Sequence, residues 1–203
     1  MSLDAATYFQ HLKAYVNHRY VVHDGEGGHV ILTEKYYPEG ATRARTRRIS
    51  LGLNGLGMAF KLDHDQVELQ RKKAKPALFH FLDDNAKPWS KRCDFVVFRT
   101  EGRSFVADCI EFKSKSLTAE KIVPQLRAGV CWCRSLKRTI EHYTGDARRI
   151  RVRKFVFGTN DNPGAYLNGN GQLNADPSIR YFHFDEVNGR TLSDIDNASV
   201  VEI

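Results

Sequence analysis

Two stretches of this 203-residue chain carry charged side chains inside otherwise apolar runs. Arg92-Cys93-Asp94-Phe95-Val96-Val97-Phe98 holds one carboxylate, and Phe105-Val106-Ala107-Asp108-Cys109-Ile110-Glu111-Phe112-Lys113 holds two more acids and an ammonium. Side chains alternate along a strand, so Glu111 and Lys113 project as neighbours from one face and Asp108 from the other. Thr100-Glu101-Gly102-Arg103 reads as a hairpin connection between the runs. Closed there, the hairpin sets Asp94 opposite Cys109, two positions from Glu111 and on its face. Two carboxylates and an ammonium beside a core are costly unless they pair or bind an ion. Hard carboxylate oxygens suit Mg²⁺ or Mn²⁺, and Mg²⁺ keeps several waters and bridges to phosphate. A divalent ion makes bound water a better nucleophile and offsets phosphoryl charge. A lysine beside it can orient or deprotonate that water, or stabilise the transition state. Asp94, Glu111 and Lys113 are therefore sufficient parts for phosphodiester hydrolysis. The plainer reading stays open: an edge-strand ion pair of Asp94 with Lys113, a solvent-facing Glu111 and a structural Asp108.

The surrounding pattern supplies elements that could position these groups. Cys93–Arg99 and Phe105–Lys113 read as strands. A helix runs from an N-cap at Thr118 to about His142, with Ile122, Val123, Leu126, Val130, Leu136 and Ile140 as its apolar stripe and Gly145 at its end. A strand follows over Ile150–Gly158, then a polar loop over 159–177, a strand over Ile179–Phe184 and a terminal turn or short strand. Upstream, Ala5–Arg19 is an amphipathic helix with Tyr8, Leu12, Tyr15 and Val16 on its apolar face. Tyr20–Val22 and His29–Leu32 flank Asp24-Gly25-Glu26-Gly27-Gly28, while Arg48–Leu53 and Gly57–Leu62 flank Asn54-Gly55; both spacings predict hairpins. Asp65–Lys73 reads as a short helix before Pro76, and Ala77–Leu82 as a strand. The expected class is α/β (α+β), with an N-terminal helix and antiparallel meander ahead of the acidic hairpin.

The pattern D-x16-E-x-K across a hairpin, followed by a helix, resembles the PD-(D/E)XK nuclease superfamily. Within it, KRCDFVVF…CIEFKS…VPQLRAG is similar to small CDFxx…IExK…QL-type proteins, some linked to mobile elements or anti-phage systems. The likeness spans about residues 75–158, and Cys93 stands where the motif often has proline. It implies a restriction-endonuclease-like core of order αβββαβ around a mixed central sheet. It implies Asp94 and Glu111 as metal ligands, Lys113 as the catalytic lysine, Gln125 as a polar helix residue beside the site and Glu68 as a further ligand. The expected activity is Mg²⁺- or Mn²⁺-dependent hydrolysis of DNA or RNA. The rival expectation is a catalytically silent relative serving as a nucleic-acid-binding or scaffold subunit. One domain over 1–203 is expected, with residues 1–65 elaborating a nuclease-like core over 66–185.

A formal net charge of +7 fits a partner rich in phosphate. The basic residues cluster at Arg43, Arg45, Arg47 and Arg48, at Arg71, Lys72 and Lys73, and at Arg149, Arg151 and Arg153. Such clusters could neutralise successive phosphates, although a basic face for an acidic protein partner reads the same way. Cys93, Cys109, Cys131 and Cys133 form no C-x-x-C pair, so zinc is not expected. No apolar run is long enough to span a bilayer, and the N-terminus lacks a secretion-signal core. The expectation is a cytoplasmic protein without a membrane partner, with an unidentified protein partner or homodimer left open.

Overall fold

The computed structural model describes residues 4–38, 40–62, 91–114, 117–160, 162–196 and 199–203. Glu68, Arg71, Lys72 and Lys73, the short helix over 65–73 and the strand over 77–82 lie outside them. The fold is mixed α/β around a mixed central sheet. Helix α1 (Ala5–Tyr15) starts where Asp4 accepts a hydrogen bond from the Thr7 N–H at 2.7 Å. It buries Tyr8, Phe9 and Leu12, whereas Tyr15 is exposed and stacks on Tyr143. Phe9 thus takes the inward position expected of Tyr15.

Strands β1 (Val21–Glu26) and β2 (His29–Tyr36) do not form a hairpin, nor do β3 (Arg45–Gly52) and β4 (Leu56–Lys61). Instead β1 pairs antiparallel with β4, and β2 with β3 as a separate two-stranded sheet nested between them. Burial overrides the turn signals. Gly57–Phe60 is buried on both faces and belongs inside a sheet, which the exposed arginines of β3 cannot enter. The crossing is tied by Gly27 N–H to the Gly55 carbonyl at 2.9 Å and Leu53 N–H to the Gly28 carbonyl at 3.0 Å.

Strands β5 (Phe95–Glu101) and β6 (Ser104–Lys113) form the acidic hairpin. Its turn is tighter than the sequence suggested: Glu101 pairs with Ser104 across Gly102-Arg103, and Gly102 has φ +58°. The register is Phe95 with Ile110 and Val96 with Cys109, so Asp94 comes level with Glu111 instead of Cys109. Helix α2 (Ala119–Thr144) follows, ending at a left-handed Gly145, then β7 (Ile150–Gly158) parallel to β6. Strands β8 (Gln172–Leu173) and β9 (Asp176–His183), a short helix α3 (Phe184–Val187) and β10 (Val201–Glu202) complete the described chain. The central sheet has the order β1-β4-β5-β6-β7-β9-β8, with β10 paired to β7. Residues before 65 therefore supply two strands of the same sheet as the acidic hairpin.

Alternation sorts the sheet into two apolar layers. Val96, Phe98, Ala107, Cys109, Val152 and Val156 face α1 and α2, against Tyr8, Leu126 and Cys133. Val97, Ile110, Phe112, Phe155 and Phe157 face the β2–β3 hairpin, against Val30, Leu32, Ile49 and Leu51. The core thus lies on both sides of β5, β6 and β7, and their C-terminal or N-terminal ends are where polar groups can reach water.

Candidate active site

Asp94 is the residue at which the chain enters β5, and Glu111 and Lys113 close β6 beside it. The backbone N–H of Asp94 donates to Glu111 Oε2 at 3.2 Å, and the N–H of Phe112 donates to Asp94 Oδ2 at 2.6 Å. Lys113 Nζ donates to Glu111 Oε1 and to Gln125 Oε1, the latter at 3.2 Å. Gln125 Nε2 donates in turn to the carbonyl of Arg92 at 3.5 Å. Asp94, Glu111, Lys113 and Gln125 thus meet on the α2 face of the sheet. Glu111 is 1% exposed and is neither solvent-facing nor a free surface acid. The Lys113 side chain is 22% exposed, so the cluster opens to water at the lysine.

Electrostatics distinguishes this cluster from a simple ion pair. Burial pushes the Asp94 carboxyl well above its ordinary value, and Glu111 pushes it further; the Phe112 N–H and Lys113 pull only partly back. Burial likewise pushes Glu111 up to about 7, against the opposing pull of Lys113 and the Asp94 N–H. The two acids titrate as a pair with a shared tendency to retain a proton. Glu34 raises both, a contribution the linear pattern did not suggest. The available signal was an acid continuing the buried alternation Val30, Leu32 on β2. Arg92 was also missed: it is buried and its Nη1 donates to the Leu62 carbonyl at 3.4 Å, fixing the backbone that receives Gln125.

Asp108, as expected, points to the other face, where it is fully buried. Arg99 Nε donates to its Oδ2 at 2.8 Å and Arg153 Nε to its Oδ1 at 2.6 Å. Arg153 also donates to the carbonyls of Ile195 at 2.9 Å and Leu192 at 2.8 Å. The guanidinium of Arg153, expected on a phosphate-binding surface, is thus held inside the protein by three hydrogen bonds. Arg149 is exposed and Arg151 half-buried, with Glu202 and Glu101 at 3.8 and 3.9 Å respectively. They lie at the wrong end of the sheet for the acidic cluster. Arg151 is level with Val106 and Gly158 with Lys113, a separation of roughly 23 Å along the strands.

The β3 arginines lie at the same end of β6 as the acidic cluster, on the opposite face of the sheet. Arg47 lies over the rings of Tyr36 and Phe184 at 4.3 and 4.6 Å, Phe184 meets Phe112 edge-on at 5.1 Å, and Phe112 holds Asp94. Arg43, Arg45 and Arg48 are exposed on the same hairpin. Among the described residues no group of three or more His, Cys, Asp or Glu is arranged to hold a metal ion. Nor is any helix among them long and apolar enough to cross a membrane. No family model, curated protein or solved structure matches the chain.

Proposed function

We propose that the protein is a divalent-metal-dependent nuclease acting at Asp94, Glu111 and Lys113. The observation that carries this reading is the pair of carboxylates, Glu111 buried and Asp94 half-buried, that meet at the end of β6 with one ammonium between them and water. Two negative charges with one positive partner leave a deficit that a divalent cation would fill. Mg²⁺ commonly takes only one or two protein carboxylates, with waters and substrate phosphate completing its shell, so two acids fit it without a third. The likeness to the PD-(D/E)XK superfamily supports this reading over the β5–β6 hairpin, α2 and β7, which follow one another in the order the motif implies, with Gln125 beside the lysine.

Asp94 and Glu111 would hold the ion, which when bound polarises the scissile phosphate and activates water. Lys113 exchanges its bond to Glu111 for the developing charge on the phosphoryl oxygens, with Gln125 keeping the ammonium aimed. The exposed arginines of β3 carry the nucleic-acid backbone toward that edge, a contact that depends on phosphate and not on base identity.

The test is cleavage of end-labelled single- and double-stranded DNA and RNA with Mg²⁺, Mn²⁺ or chelator. Metal-dependent cutting of at least one substrate is expected, lost in Lys113→Ala while the melting temperature is retained. If all four substrates survive both metals, a silent nucleic-acid-binding subunit becomes the better reading.

A further inference from the structure

Beside the acidic cluster lies a cleft that the chemistry above does not use. A cleft of about 650 Å³ opens between the end of β9 and the loop after β7, lined by Pro163, Leu167, Arg180, Tyr181, His183 and Arg190 among others. Its position follows from register. Lys113 is level with Gly158 and Gly158 with His183, so the cleft begins about 10 Å from the lysine, two strand spacings away.

The loop that walls it is built, not slack. Asn168 Oδ1 accepts from the N–H groups of Asn170 and Gln172, both at 3.0 Å, and its Nδ2 donates to Gln172 Oε1 at 3.0 Å. The Tyr181 N–H reaches the Gly171 carbonyl at 3.0 Å, and the Tyr181 hydroxyl donates to the Asn160 carbonyl at 3.3 Å. Long connections with their own bonding are commonly functional in compact domains. Gly171, at φ +69°, lets the Arg180 guanidinium lie flush on this loop: a Cβ there would come within 3.1 Å of Nη1. The guanidinium also lies over the Phe182 ring at 5.1 Å.

Arg180 Nε is nevertheless buried without a hydrogen-bond partner among the described residues. Glu186, the acid on the rim, directs its Oε2 to the His183 N–H at 2.8 Å. The cleft lining thus carries two guanidiniums, Arg180 and Arg190, against the single Glu186 carboxylate, a balance that suits an anion, and Pro163 and Leu167 offer an apolar wall beside it. Resting on the nuclease reading, we infer that this cleft binds one nucleotide of a single strand next to the phosphate at Lys113. Arg180 and Arg190 take the phosphate and the base lies against Pro163 and Leu167. A guanidinium beside an apolar wall suits a nucleotide better than a bare anion.

The experiment follows the Arg180 Nε–H resonance by NMR during titration with inorganic phosphate, a nucleoside 5′-monophosphate and a short single-stranded oligonucleotide. Affinity for the oligonucleotide is read by anisotropy in wild type, Arg180→Gln and Arg190→Gln, the last at an exposed residue that does not threaten folding. The oligonucleotide should move the resonance, Arg180→Gln should weaken binding about tenfold, and Arg190→Gln by less. The monophosphate should bind more weakly than the strand. Equal affinity for phosphate and oligonucleotide, or unchanged affinity in both variants, overturns the inference. Cleavage is scored separately. A protein that cuts with wild-type affinity in both variants loses this subsite and keeps its nuclease reading. One that binds through Arg180 but never cuts keeps the subsite and loses that reading.

Discussion

Strand β6 carries two buried acidic sites three residues apart, on opposite faces, and their surroundings drive them in opposite directions. Asp108 meets two guanidiniums; burial opposes its charge, yet Arg99 and Arg153 outweigh burial and hold the carboxyl below its ordinary range. Glu111 meets one ammonium and a second carboxylate, and burial wins, lifting it to about 7. Same strand, same depth, opposite outcome: the sign is set by the number of positive partners, not by burial alone. A saturated buried acid holds structure. An undercompensated one at a sheet end, open to water through Lys113, is where the proposed cation would sit.

The largest expected effect belongs to the saturated site. Asp108→Ala leaves Arg153 buried without its counter-charge and Arg99 with only Glu101, at 3.5 Å, and should cost ~3–5 kcal/mol in urea unfolding. Glu111→Gln, measured without metal, should be neutral or stabilising because it removes one of two repelling carboxylates. A loss in Glu111→Gln as large as that in Asp108→Ala would erase the contrast.

Next in size is Lys113→Ala, expected to lower metal-dependent cleavage by roughly 10²-fold or more, the scale of a positioned acid–base or charge-stabilising group. Gln125→Ala should lower it less, since it only aims the lysine, and should leave the fold intact. Equal turnover in Gln125→Ala and wild type would return Gln125 to the helix flank.

The pH dependence sharpens the same comparison. Glu111 is raised from 4.5 to about 7, so the folded state holds a proton there that the unfolded state has released. Metal-free stability from this group is full below about pH 4.5 and declines as pH rises through about 7. Asp94, also raised, acts in the same direction. Asp108 acts oppositely: its contribution stands above 3.8 and is lost only as pH falls through its lowered value. Melting temperatures between pH 5 and 8 should fall more steeply in the wild type than in Glu111→Gln. Parallel curves would mean that Glu111 does not titrate there.

The smallest effect concerns the arginines. Arg45→Gln and Arg48→Gln should each weaken nucleic-acid binding and reduce the slope of log affinity against log salt by about 1. Arg153→Gln should instead lower stability, because Arg153 already serves Asp108 and two carbonyls.

What the sequence could disclose depended on the range of the interactions involved. The β5–β6 hairpin, α2 and β7 are long, strongly patterned segments, and alternation alone placed Glu111 with Lys113 and against Asp108. The register missed by two because the turn closed on Gly102-Arg103, a shift that preserves the face and so left the convergence readable. The nesting of β2–β3 between β1 and β4 was hidden, since Asn54-Gly55 is a sound local turn signal that long-range burial overrides. Arg153 looked like one more surface cation. Its acceptors Asp108, Leu192 and Ile195 lie 45, 39 and 42 residues away, out of reach of any local pattern. Glu34 escaped for the same reason, its influence on Asp94 and Glu111 crossing from β2 to the hairpin.

The most direct test of the central claim is a thermal melt of wild type and Glu111→Gln with increasing Mn²⁺ at pH 7.5. An ion that binds only the folded protein raises its melting temperature by mass action. The wild type should gain stability with Mn²⁺, and Glu111→Gln and Asp94→Asn should not, while Lys113→Ala should keep the gain. A rise in Glu111→Gln equal to that of wild type would place the metal elsewhere and contradict the account.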